Sequence, residues 1–286
     1  MRIMRWRTLA GVAAVAVALT LVPAVGVVAE PKQTFDPGDI ISDDSFFNPN
    51  AMTAADIQEF LDDRTCKPKD DSPCLARYRV DTPSVAASKG RCTAMRGQRD
   101  ESASSIIARV AQACTISPRV LLVLLQKEQS LLTAPSASGY QKATGYACPD
   151  TAACDSKFFG FFNQVYRAAW QFREYTVHPD DWRYQIGAND IQFHPNIACG
   201  TSRVHIVNQA TANLYNYTPY QPNDETLANP KGPAGSCSTF GNLNFSRLYN
   251  QWFGSPLTVR FVGWIPQCLN YAGGFGCAPI RPFDGM

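Results

Sequence analysis

Six apolar residues in succession, Val120-Leu121-Leu122-Val123-Leu124-Leu125, follow shortly after the pair Ser117-Pro118. Ser then Pro marks a helix start, because Ser caps the first turn and Pro fits where its missing N–H costs nothing. A helix over 117–132 is expected, ended by Thr133-Ala134-Pro135. At 3.6 residues per turn the run occupies nearly every face, so other elements have to surround this helix. A chain of 286 residues can supply them within one large domain or two small ones.

The candidates for those elements are visible along the chain. Residues 30–50 read as an extended arm, with a turn at Phe35-Asp36-Pro37-Gly38 and apolar anchors at Ile40-Ile41 and Phe46-Phe47. Thr53, with Asp56 three positions on, caps a short helix through Leu61 that carries Ile57, Phe60 and Leu61 on one face. Residues 62–100 lack a helical period and read as a disulfide-tied connector. Ile106, Ile107, Val110 and Ala113-Cys114 give a helix over 101–116, and Phe162, Val165, Tyr166, Ala169 and Phe172 another over 161–175. A loop is expected at 134–160. Between 182 and 207 the period shifts toward two. Tyr184-Gln185-Ile186 and Ile191-Gln192-Phe193 would pair across a Gly187-Ala188-Asn189-Asp190 turn, with a third strand at 203–207. Helices are expected again at 208–217 and 245–253, separated by a Pro, Gly and Asn rich stretch, and Leu257 to Ile265 is strand-like. The fold class is α+β, mainly α, with a small β hairpin region.

Arg2, Arg5 and Arg7 precede an apolar run from Leu9 to Val28, and Val27-Val28-Ala29 suits a cleavage site before Glu30. Residues 1–29 therefore read as an export signal, with membrane contact only through that segment before cleavage. All ten cysteines come later, and an even number in an exported chain reads as five disulfides. Short loops point to Cys66–Cys74, Cys148–Cys154 and Cys268–Cys277, which would leave Cys92–Cys114 and Cys199–Cys237; spacing does not fix the map. No Cys-x-x-Cys pair occurs, and His178, His194 and His205 give no convergent pattern, so neither a metal nor another cofactor is expected. From Glu30 onward 23 Lys and Arg face 24 Asp and Glu, which argues against a nucleic-acid partner. Neither a Gly-Lys-Ser/Thr phosphate loop nor a Gly-x-Ser-x-Gly elbow is present.

Glu128 is the first candidate for chemistry. It lies seven residues after Leu121, within about 20° of the same helix face. A carboxyl on an apolar stripe is costly unless it is paired or opens on a cleft, and partial burial suits a general acid. The bland alternative is that the helix has surfaced by this point, as Gln126, Lys127 and Gln129 suggest.

The segment Ile116-Ser117-Pro118 through Glu128-Gln129-Ser130 resembles the catalytic helix of the lysozyme-like superfamily, lytic transglycosylases and goose-type lysozymes above all. The resemblance implies that Glu128 protonates a glycosidic oxygen of peptidoglycan, with Ser130 beside it. Gly160-Phe161-Phe162-Asn163-Gln164 is similar to a cleft-lining Gly-Leu-Met-Gln segment, longer by one residue, and Tyr215-Asn216-Tyr217-Thr218-Pro219-Tyr220 to a Tyr-Asn segment facing the acid. It thereby implies Ser130, Phe162, Asn163, Gln164, Tyr215 and Tyr217 as substrate-binding residues. Asp150 and Asp155 are the candidates for the second carboxylate that hydrolases use. Lys127 to Thr133 and Tyr215 to Asn223 also resemble segments of a group of exported bacterial cell-wall-associated proteins.

The implied layout is a signal at 1–29, an arm and Cys-containing connector at 30–100, a lysozyme-like domain at 101–254 and a Cys-loop tail at 255–286 packed on it. The implied function is cleavage of peptidoglycan glycan strands by a secreted or wall-associated monomeric enzyme, a glycosidase or lytic transglycosylase. The alternative is a non-catalytic wall-binding protein, surface structural protein or adhesin that keeps the fold.

Overall fold

In the computed structural model the described residues are 35–149 and 152–258. In chain order they form α1 (Asp43–Phe46), α2 (Ala54–Asp62), β1 (Arg79–Thr82), β2 (Gln98–Ser102), α3 (Ala103–Cys114), α4 (Pro118–Gln129), α5 (Ala137–Gln141), α6 (Phe161–Val177), β3 (Gly187–Gln192), β4 (Thr201–Ile206), α7 (Gln209–Tyr217), α8 (Asp224–Ala228) and α9 (Gly241–Phe253). The fold is α+β and mainly α, with two small antiparallel hairpins, β1–β2 and β3–β4.

α4 is the buried helix its sequence requires: Val120 to Leu125 are all at most 1% exposed. α3 and α9 pack against it, and α6 packs on α3 and α7. Each such Leu or Val contributes about 1.5–3 kcal/mol by leaving water. The helix ends at Gln129, three residues before the expected end. Ser130 turns into the left-handed region (φ 55°), and the Gln126 side chain fastens the turn beyond it. Its Oε1 accepts from Leu132 N (3.1 Å) and its Nε2 donates to Thr133 Oγ1 (2.9 Å), which lets Leu131 and Leu132 enter the core.

The arm is anchored as its apolar pairs indicate, since Ile40, Ile41, Phe46 and Phe47 are all buried. It is not extended throughout, because Ser42 accepts from Ser45 N and starts the single turn α1. The Thr53–Asp56 capping box is formed in both directions on α2. The connector holds the unforeseen hairpin β1–β2. Its strands are too polar and exposed to show an apolar alternation. The hairpin is tied inward by buried Glu101, which accepts from Thr82 Oγ1 (2.6 Å), Ser105 Oγ (2.7 Å) and Arg109 Nη1 (2.7 Å).

The second hairpin corrects the expected turn. Gly187 to Asp190 lie within β3, and the chain reverses between Gln192 and Thr201 instead. Asp190 faces Arg203 across the ladder with Oδ1 2.7 Å from Nε. Asn189 spends its amide on the carbonyls of Gln185 and Gly187, so these turn-forming residues are recruited into a strand.

Cys66–Cys74, Cys92–Cys114, Cys148–Cys154 and Cys199–Cys237 are bonded. Cys268, Cys277, the signal at 1–29 and the tail beyond Thr258, with most of the 257–265 run, lie outside the described residues. At the start of that tail Ser42 N donates to Pro256 O (3.1 Å).

The arm docks on the N-terminus of α7. Asp43 Oδ1 accepts from Ala210 N (2.8 Å), Asp39 Oδ1 from Asn208 Nδ2 (2.8 Å), and Thr211 Oγ1 from Ile40 N (3.0 Å). Burial pushes the Asp43 carboxyl up to about 6, against the Ala210 hydrogen bond. A carboxyl raised in the folded state adds stability below its ordinary range and loses it as pH rises through about 6. Asp43→Asn is expected to remove roughly 2 kcal/mol of that loss between pH 4 and 7, read from urea unfolding at both pH values. An unchanged pH dependence would refute the assignment.

Candidate functional site

The last turn of α4 ends against the loop 144–149, against the end of α7 with the residues 218–220 that follow it, and against the start of α9. Between them runs a cleft of about 750 Å3 bordered by Lys127, Glu128, Gly145, Tyr217, Tyr220 and Asn244. A smaller pocket of about 430 Å3, with Tyr146, Tyr175 and Trp182 in its walls, shares Gly145 and Tyr217 with it. A third of about 300 Å3, around Arg247, shares Lys127 and Asn244. The three adjoin along one path.

Buried amides hold this path in shape. Gln164 of α6 is fully buried; its Oε1 accepts from Thr144 N (3.2 Å) and Tyr146 N (3.1 Å), and its Nε2 donates to Tyr146 O (3.1 Å) and Phe158 O (2.9 Å). Asn242 Nδ2 donates to Thr218 O (2.9 Å) and Tyr220 O (3.0 Å), and Asn216 brackets the backbone of Tyr184. Gly145, between the two residues that Gln164 grips, has φ +71°, and a Cβ there would stand 3.0 Å from Glu128 Oε2. Glycine is what lets the loop close on the carboxylate.

Glu128 is not a lone carboxyl in an apolar setting. Its Oε1 is 2.5 Å from Lys127 Nζ, and its side chain is 24% exposed against 7% for Lys127. Lys127 also donates to Thr218 Oγ1 (3.0 Å), so the ion pair is stitched to the opposite wall. Tyr217 donates from its hydroxyl to Thr144 O (2.9 Å). Burial, reinforced by the Glu128 charge, holds its phenol well above the ordinary range.

The other expected site residues separate into cleft and scaffold. Tyr217 borders the cleft. Tyr215 is in the core, its hydroxyl bonded to Pro37 O (3.0 Å). Phe162 is buried and stacks on Tyr166. Asn163 donates to Phe159 O (3.3 Å), Gln164 is the clamp already described, and Ser130 faces the Arg247 pocket. Asp155 is exposed and bound to Lys157 (2.8 Å), whose hydrogen bonds lower its carboxyl. Asp150 lies outside the described residues. His178 pairs with Glu174 (3.1 Å), and among the described residues no three His, Cys, Asp or Glu side chains stand close enough to share a metal ion.

Sequence reasoning missed Lys127, Gly145, Asn242, Asn244 and Arg247. Lys127 read as a sign of solvent, and Gly145 gave no signal beyond its place in a loop. Asn242 and Asn244 precede the amphipathic segment that drew attention.

The profile of the LasA N-terminal domain family matches residues 39–266, most of the chain. The chain belongs to the LasA N-terminal domain family. No curated protein and no solved structure matches it. The match to the LasA N-terminal domain family overturns the expected lysozyme or lytic transglycosylase cutting glycan strands with Glu128 as acid/base. The geometry agrees with that correction. Glu128 is locked to a cation, and Asp155, the described candidate for a second carboxylate, is committed to Lys157. Four disulfides among the described residues point to an oxidising, extracellular compartment. Among the described residues no helix is long and apolar enough to cross a membrane.

Gln164→Ala would leave the amides of Thr144 and Tyr146 without their acceptor. It is expected to cost roughly 2–4 kcal/mol in denaturant unfolding and to speed hydrogen exchange at 144–146. Gly145→Ala is expected to cost about 1–2 kcal/mol through its positive φ. Wild-type stability in either variant would show that the loop is held by other contacts.

Proposed function

We propose that this exported, monomeric protein is directed at the bacterial cell wall, and that its LasA-type domain recognises peptidoglycan through the wall's peptide part. LasA is a secreted staphylolytic peptidase, and LasA-like proteins act on peptidoglycan. Peptide is the chemistry a peptidase engages, so the family argues for the peptide rather than the glycan as the recognised component.

The observation that carries the reading is the run of three adjoining pockets past Trp182, Glu128 and Arg247. A compact ligand needs one enclosed cavity, whereas an extended polar chain needs successive subsites with donors and acceptors at intervals. Here the cleft offers an aromatic end, a central ion pair and a guanidinium. In this reading Glu128 and Tyr217 border the polymer. Gln164 holds the 144–146 wall loop from beneath, Phe162, Asn163 and Tyr215 belong to the supporting scaffold, and residues 1–29 serve as the export leader.

The test is cosedimentation of the oxidised protein, lacking residues 1–29, with purified peptidoglycan and with the same glycan stripped of its peptides by an amidase. Binding to the intact wall and its loss on stripped strands is the expected result. Asn244→Trp, placed where two pockets meet, is expected to lower the bound fraction severalfold while the circular dichroism spectrum is unchanged. Equal binding to stripped strands, or no binding to intact wall, would overturn the reading.

A further inference from the structure

Arg247 of α9 is partly buried, yet no carboxylate compensates it among the described residues. Its Nη1 donates to two neutral oxygens, Pro230 O (2.7 Å) and Asn244 Oδ1 (3.1 Å). Those bonds fix the guanidinium, and Nε and Nη2 have no partner among the described residues. The pocket beside it is completed by Gln126, Lys127, Ser130, Asn244, Leu248 and Gln251, without an acidic side chain. The Gln126 amide is committed to Leu132 and Thr133, and the Lys127 charge is shared with Glu128. What remains is one oriented guanidinium with a vacant pair of donors and no countercharge among the described residues, a hydroxyl and an exposed amide.

From this arrangement we infer that the Arg247 pocket is a carboxylate-binding subsite, taking a free carboxylate of the wall peptide. The inference rests on the wall-recognition reading and names the group that anchors one end of the ligand. A planar guanidinium with two adjacent free N–H groups matches a carboxylate in the two-bond geometry, which a lysine point charge does not. The ion pair at Glu128 and Lys127 then faces the next part of the same chain, because Lys127 and Asn244 border both pockets. An anion held here needs no new charge from the protein, and an uncharged end group would leave the guanidinium desolvated without a partner.

The probes are a synthetic wall-type tetrapeptide with a free C-terminal carboxylate and the same peptide as its C-terminal amide, titrated calorimetrically into the oxidised protein. The free acid is expected to bind about tenfold more tightly than the amide. Arg247→Gln should erase that difference and Arg247→Lys should restore only part of it, with thermal unfolding showing that both variants fold. Equal affinity for acid and amide, or an unchanged preference in Arg247→Gln, overturns the subsite. Inorganic phosphate binding at least as tightly as the free acid overturns it in favour of a phosphate ligand. If neither peptide binds while the intact wall still sediments the protein, the subsite fails and the wall reading stands. If the wall does not bind either, both fail.

Discussion

The all-round burial of α4 is the constraint from which the rest of the structure follows. A helix with six apolar residues in a row cannot rest on a surface, so α3 and α9 close around it and α6 and α7 extend the packing. Because the run stops at Leu125, the last turn of the helix is where the core gives way to polar chemistry. Gln126, Lys127 and Glu128 emerge together at that boundary, and each has a fixed task. Gln126 fastens the reversal after Ser130, Lys127 joins the opposite wall, and Glu128 faces the loop at Gly145. The cleft is thus a direct consequence of where the apolar run ends.

Its walls are loops, and loops need partners for their backbone groups when they pack inward. Gln164, Asn216 and Asn242 supply them with amide side chains that donate and accept at once. This explains why a Gln-bearing segment that looked like a substrate-contacting feature is structural. The amide is fully buried, and its oxygen and nitrogen both point at the protein's own backbone. The disulfide Cys148–Cys154 closes the same loop covalently, and Cys199–Cys237 ties the second hairpin to the segment before α9.

The resemblance to lysozyme-like enzymes had a physical origin and a physical limit. A Ser-Pro start, a Leu-rich run and a terminal Glu describe a catalytic helix, but they equally describe any capped, buried helix that surfaces on a carboxylate. Deciding between the two requires knowing what stands next to the carboxylate, and that is Lys127, adjacent in sequence and directed to the same cleft. The LasA family match, which spans 39–266, rests on far more of the chain than one helix and its neighbours.

The sequence by itself determined the elements whose signals are local: the Ser117-Pro118 start, the Thr53–Asp56 box, the periods of α3 and α6, the helical stretches at 208–217 and 245–253, and an oxidising address. It also pointed to the short-loop pairs Cys66–Cys74 and Cys148–Cys154, because short loops close with little loss of entropy. Only the tertiary structure decided the β1–β2 hairpin, the register of β3–β4 and the make-up of the cleft. Those depend on partners from other elements of the fold, such as Glu101 with Arg109, Asp190 with Arg203, and Lys127 with Thr218. Turn propensity in Gly187-Ala188-Asn189-Asp190 is worth less than a full ladder plus an ion pair, so tertiary pairing overrode it. The roles of Glu128, Gln164 and Arg247 likewise follow from neighbours brought in by the fold, Lys127 held to Thr218 91 residues on, Gln164 to Thr144 20 residues back and Arg247 to Pro230 17 residues back.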